Sequence, residues 1–387
     1  MDYRLSEDQQ SLLTALGDFC REQIAPLAER RDHEGRFEEG LVASLAEMGL
    51  MGLYVPTEYG GAGMDVVTYA CAVEELSRAC GATGILMSAH HSLCVDPILR
   101  FGSEAQKRRY LPMLSNGAAV GCFSLTEPGS GSDAGAARCA AVERPDGWLI
   151  NGTKCFVTNG VEAKVVVLFA VTDPDNPRHR LSAFIVDKDA PGLRVGKIEK
   201  KMGIRASSTT ELVFENCLVP RDALLGERGR GLRIALSTLD GGRIGVGAQA
   251  LGIAQAALDA ALSYTQTRHQ FNQPISNFQA IQWKLPDMAT ALAAGRLLVR
   301  RAAWNKHSGR PYETEAAMAK LFASEMSSRV TNMAVQCFGG YGYICDYPAE
   351  RFLRDAKITE LYEGTSEIQR LVIARRILSE SGWVARG

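Results

Sequence analysis

The spacing of apolar positions changes twice along the chain. Over residues 1–120 it is helical. Leu12, Leu13, Leu16 and Phe19 share one face, Ser6 and Gln9 have the form of a capping box before them, and Pro26 is placed to stop the helix. A second helix is predicted from about Glu38 to Met48, ended by Gly49. A third follows Asp65, with Val66, Tyr69, Val73, Leu76 and Cys80 at helical spacing before Gly81; Pro56 to Gly63 is a loop. Over 121–230 short β-rich runs replace the helices: Ala119–Leu125, Trp148–Ile150, Val165–Val171, Leu181–Val186 and Glu211–Phe214. Turn signals at Pro145-Asp146-Gly147, Asn151-Gly152 and Pro191-Gly192 predict antiparallel hairpins. Over 231–387 the period is helical again, in stretches at 231–266, 275–307, 312–336 and 347–380 that suit a bundle. The predicted fold class is α+β: an N-terminal helical domain, a middle antiparallel β domain and a C-terminal four-helix bundle.

A chain of 387 residues exceeds what one core normally supports, in line with several sub-domains. Lys+Arg number 43 and Asp+Glu 44, a net charge of -1, so no broad field of one sign favours nucleic acid or an anionic membrane. The ten cysteines include no CxxC pair and the six histidines have no HExxH spacing, so no metal site is expected; dispersed cysteines suit small core residues in a reducing compartment. No run approaches about 18 uninterrupted apolar residues, and no membrane insertion is expected. The opening MDYRLSEDQQ lacks a signal pattern, which makes a cytoplasmic location the expectation, or the mitochondrial matrix for a mature eukaryotic chain.

Candidate chemistry lies in a few segments. Leu125-Thr126-Glu127-Pro128-Gly129-Ser130-Gly131-Ser132-Asp133 follows a strand, and its glycines let backbone N–H groups converge on an anion or carbonyl edge. Taken alone, it reads more readily as a polar turn, since glycine-rich loops are common. It is not a dinucleotide fingerprint, because no βαβ unit surrounds it. Phe156 and Thr158, two apart on a strand, share a face on which they can cover a flat ring and donate one hydrogen bond. Arg268 follows a helix end and either pairs with a phosphate or complements the helix dipole. Gly339-Gly340-Tyr341-Gly342 permits close backbone approach. In Tyr362-Glu363-Gly364-Thr365-Ser366-Glu367-Ile368-Gln369-Arg370, Ser366 and Gln369 read as a second capping box, leaving Glu363 on the connection before a helix. There it is either free to enter a cleft or simply a solvated acid near a helix N-terminus.

Taken together and in order, FSLTEPGSGSD (Phe123–Asp133), Phe156–Asn159, DGGR (Asp240–Arg243), Arg268–Phe271, QCFGG (Gln336–Gly340) and YEGTSEIQR (Tyr362–Arg370) resemble the acyl-CoA dehydrogenase family over essentially the whole chain. The resemblance implies FAD between the β domain and the C-terminal helices. It implies flavin contacts from Phe123, Leu125, Thr126, Gly131, Ser132, Phe156, Val157, Thr158, Thr365 and Glu367. Family members often carry tryptophan where Phe156 stands. Arg268, Phe271, Gln279, Gln336, Gly339 and Gly340 resemble segments that reach FAD in a neighbouring subunit, which implies a homotetramer built as a dimer of dimers.

Glu363 matches the family's catalytic base. One branch places that base immediately before the arginine matching Arg243, and Gly242 occupies that position here. The resemblance further implies that the Glu363 backbone N–H and a ribityl hydroxyl stabilise the thioester oxygen, and that Ser132, Asp240, Arg243 and Gly364 contact substrate. The product is then a trans-2-enoyl-CoA, and an electron-transferring flavoprotein takes the electrons. The run Leu239–Ile244 is most similar to short-chain members, butyryl-CoA or short branched-chain ones. An acyl-CoA oxidase, a flavin monooxygenase relative and a non-catalytic acyl-CoA-binding subunit are the alternatives. His90 and His91 either line the acyl pocket or pack helices.

Overall fold

A computed structural model describes residues 5–176 and 178–380. The N-terminal part holds α1 (Glu7–Phe19), α2 (Ala28–Glu34), α3 (Leu41–Glu47), α4 (Val66–Ala79), α5 (Gly81–Ala89), α6 (Asp96–Phe101) and α7 (Glu104–Ser115). The expected box at Ser6 and Gln9 is present, and the Gln9 amide also reaches Asp65 and Thr68, fastening α1 to the start of α4. Pro26 does not end the helical path. It sits in the first turn of a 3-10 segment, where its missing N–H would have no partner anyway, and the chain continues into α2.

The β domain comprises β1 (Val120–Ser124), β2 (Ala140–Arg144), β3 (Gly147–Thr158), β4 (Ala163–Val171), β5 (Leu181–Asp187), β6 (Leu193–Ile198), β7 (Thr209–Val219) and β8 (Leu224–Leu225). The order is β6-β7-β3-β2-β4-β5-β8, with β1 beside β4. Hairpin pairing dominates, but β1 lies parallel to β4, so the sheet is mixed. No hairpin joins these strands, since β2 and β3 intervene, and parallel pairing becomes available. Asn151-Gly152 is not a turn. It lies inside β3 at a register shift, where Gly152 has φ 150 and the Asn151 side chain accepts from the Asn216 N–H.

The C-terminal part begins with α8 (Gly231–Thr267), followed by the short pair β9 (His269–Gln270) and β10 (Gln273–Pro274). Then come α9 (Gln279–Gln282), α10 (Lys284–His307), α11 (Glu313–Phe338), α12 (Ala349–Lys357) and α13 (Ser366–Glu380). The predicted stretch 347–380 is thus two helices with a connector between them. α8 contains an 18-residue window of mean hydropathy 1.2, enough by composition to cross a membrane, but 83% of that window is buried in the protein. It is the core helix against which α4, α10 and α11 pack. Nine cysteines are buried and unpaired; Cys345 is exposed. His90 and His91 are fully buried on the helical segment after α5, bonded to the Met51 and Leu50 carbonyls. Burial pushes them down to about 4 and about 3, and they pack helices instead of lining the main cavity.

Candidate active site

A cavity of about 670 Å³ opens where α5, the β1–β2 loop, the end of β3, α8 and the α12–α13 connector meet. The connector owes its shape to two successive left-handed residues, Glu363 (φ 54) and Gly364 (φ 93). For glutamate this conformation costs about 1 kcal/mol or more, so surrounding bonds must hold it. The Gly364 carbonyl accepts from Lys320 Nζ at 2.7 Å and from Gln369 Nε2 at 2.8 Å, and Gln369 also reaches the Glu363 carbonyl. Tyr362 Oη donates to Gln249 Oε1, and Gln249 Nε2 to the Gly81 carbonyl, tying the connector to α8 and α5. The predicted capping box at Ser366 does not form. Thr365 accepts from the Ile368 N–H instead, and Gln369 is drawn to the connector's carbonyls.

Both Glu363 carboxylate oxygens are shut off from solvent and accept no hydrogen bond among the described residues. The carboxylate rests against α8 so closely that a Cβ at Gly242 would collide with Oε2. The two places where the family resemblance puts a base, Glu363 and the residue before Arg243, therefore converge on one point. Burial raises the Glu363 pKa from the ordinary 4.5 to about 7, against the opposing charges of Lys320 and Arg243. Arg243 is itself engaged by Asp240 at 2.6 Å. Such a carboxyl group exchanges protons near neutral pH and has oxygens free to take one from carbon.

The facing wall is the loop after β1. Its frame is Glu127, 8% exposed, which accepts from Lys154 Nζ at 2.7 Å and from the Arg138 and Cys139 N–H groups. Lys154, fully buried, also donates to the Leu125 carbonyl. Burial alone would raise the Glu127 pKa, but these donors hold it below the carboxylate norm. Beyond this frame Gly129 and Gly131 face open space. Phe156, 65% exposed with φ 56, and Thr158 flank the cavity from β3. A ring-sized apolar wall, an open glycine loop and a carboxylate without a partner fit a flavin with an acyl thioester beside it.

Phe123, Leu125, Thr126, Gly131, Ser132, Phe156, Thr158, Arg243, Glu363, Gly364 and Thr365 all line this cavity. Val157, its neighbour in the strand, turns instead into the sheet core. Asp240 stands behind Arg243, and Glu367 is exposed on α13. Arg268, Phe271, Gln279, Gln336, Gly339 and Gly340 lie outside it; Phe271 is 86% exposed and Arg268 lies over the Tyr341 ring. Sequence reasoning missed Lys320, Gln249, and Lys154 with its partner role for Glu127. A signal existed for Lys320: it falls on the buried stripe Ala316, Ala323 and Ser327 of α11, where an unneeded lysine would be costly.

Residues 6–118, 122–217 and 229–378 match the N-terminal, middle and C-terminal domains of acyl-CoA dehydrogenases. The rat short-chain specific acyl-CoA dehydrogenase, mitochondrial, is 50% identical over 374 residues, 97% of this chain and 91% of the rat protein. The solved butyryl-CoA dehydrogenase of Megasphaera elsdenii has a TM-score of 0.96 and 46% identity, covering 98% of this chain and 100% of its own. A chain from a structure reported for the electron transferring flavoprotein of Acidaminococcus fermentans has a TM-score of 0.96 and 51% identity, covering 98% and 100%.

Proposed function

Because the chain belongs to the acyl-CoA dehydrogenase family, whose members depend on FAD, we propose that it dehydrogenates short-chain acyl-CoA thioesters between the α- and β-carbons, with Glu363 taking the α-proton. The observation that carries this reading is the Glu363 carboxylate, buried in the cavity with no hydrogen-bond donor among the described residues. An α-proton of a saturated thioester is too weak an acid for an ordinary solvated carboxylate. Desolvation raises the basicity of Glu363, and the backbone N–H of the same residue stabilises the thioester oxygen as charge builds on it. Gly242 leaves room for the carboxylate on the α8 side. Leu93 and Leu239 supply an apolar wall for the acyl chain, and Arg243, held by Asp240, faces the substrate. The Leu125–Ser132 loop, Phe156 and Thr158 would hold FAD, which would supply an acceptor for the β-hydride, with an electron-transferring flavoprotein as the onward partner.

The exposed Phe271, Gln279, Gln336, Gly339 and Gly340 belong, in this reading, to a homotetramer in which they reach a neighbour's FAD. Light scattering of the purified protein tests that arrangement; a monomer carrying stoichiometric FAD would contradict it. The base assignment is tested by anaerobic stopped-flow bleaching of the flavin with butyryl-CoA. Glu363→Gln is expected to retain FAD and slow bleaching by roughly 10³-fold or more. A wild-type rate removes Glu363 from the mechanism.

A further inference from the structure

Lys320 is the fully buried cation nearest in role to the base, and its ammonium is spent on a backbone carbonyl. Burying a lysine is costly unless its charge is used, and a single carbonyl is poor compensation. The carbonyl it bonds belongs to Gly364, the second residue of the left-handed pair that presents the Glu363 carboxylate. Within the reading of Glu363 as base, we propose that Lys320 is a positioning residue: it clamps the Glu363–Gly364 turn and its charge favours the ionised carboxylate.

The electrostatic surroundings support that role. The charges acting on Glu363 are Lys320 from α11 and Arg243 from α8; both lower a pKa that burial raises. Tyr69 from α4 and Tyr362 from the connector also feel Glu363, and burial keeps both phenols well above their ordinary range and neutral. Arg243 shares its charge with Asp240, whereas Lys320 does not give its hydrogen bond to a carboxylate. Burial pulls the Lys320 pKa down to about 8; Glu363, Glu360 and Glu367 raise it and Arg243 lowers it. Lys320 and Glu363 thus favour each other's ionised forms, and Lys320 is the cation that also fixes the base's backbone.

The test is the pH dependence of anaerobic flavin bleaching by butyryl-CoA for the wild type, Lys320→Met, Lys320→Gln and Glu363→Gln. Lys320→Met is expected to move the midpoint of the profile upward by roughly one unit. It should bleach about tenfold more slowly below that midpoint and recover most of the rate well above it. Lys320→Gln, which can still donate to the carbonyl, should show the same displacement with thermal stability nearer the wild type. Three results overturn the proposal: an unmoved midpoint, a rate reduced by one factor at every pH, or both Lys320 variants recovered colourless and unfolded. If Glu363→Gln bleaches normally, it is the base assignment that fails, a different outcome from an inactive Glu363→Gln alongside an unshifted Lys320→Met.

Discussion

Glu127 and Glu363 are carboxylates withdrawn from water in two segments that border the same cavity, yet the chain surrounds them in opposite ways. Glu127 receives an ammonium and two backbone N–H groups, and its pKa falls below the norm. Among the described residues Glu363 receives no hydrogen bond, only the charges of Lys320 and Arg243, and its pKa rises to about 7. Burial is shared; the supply of donors differs. A saturated carboxylate shapes a loop, and an unsaturated one keeps its oxygens available for a proton from outside the protein.

The contrast breaks most severely at Glu127. Lys154→Met leaves its charge buried without the ammonium and is expected to cost about 3–5 kcal/mol of stability and release FAD. Thermal melts and the FAD absorbance of the purified variant check this. Unchanged melting would mean that the pair does not frame the loop.

At Glu363 the sign reverses. Its folded pKa is raised, so between the ordinary 4.5 and about 7 the folded state binds more protons than the unfolded one. Stability is then lost as pH rises through that window. Glu363→Gln removes the loss, and above about pH 7 it should be the more stable protein by on the order of 3 kcal/mol. Denaturant melts at about pH 5 and about pH 8 should show a gap that is small at the lower value and widens to its full size at the higher; a variant less stable at both values speaks against a strained, desolvated base.

A smaller effect is expected at Gly242. An alanine methyl meets Glu363 Oε2, and displacement of the carboxylate should slow bleaching by butyryl-CoA by roughly tenfold to a hundredfold, an overpacking cost of about 1–3 kcal/mol. A wild-type rate would show that the carboxylate has room to move.

How much of this was legible beforehand depends on range. The three-part layout followed from the period of apolar residues, and the capping box at Ser6 is local enough to act as read. Asn151-Gly152 misled because the same dipeptide serves a hairpin turn or a bulge, and the partner that decides, Asn216 on β7, is distant in sequence. Ser366 misled because Gln369 is captured by the connector's carbonyls. Phe156 and Thr158 were found, but the bulge between Lys154 and Val157 breaks the simple alternation that suggested them. Lys320, Gln249 and Lys154 were missed since their roles rest on bonds to segments far along the chain.

The central claim concerns a proton, so the most direct measurement follows one. Butyryl-CoA incubated anaerobically with the protein in D2O, without an added electron acceptor, is analysed by mass spectrometry for deuterium at the α-carbon. The wild type should introduce deuterium there through Glu363, and Glu363→Gln, loaded with FAD to the same level, should introduce essentially none. Equal incorporation by the two proteins would contradict the account.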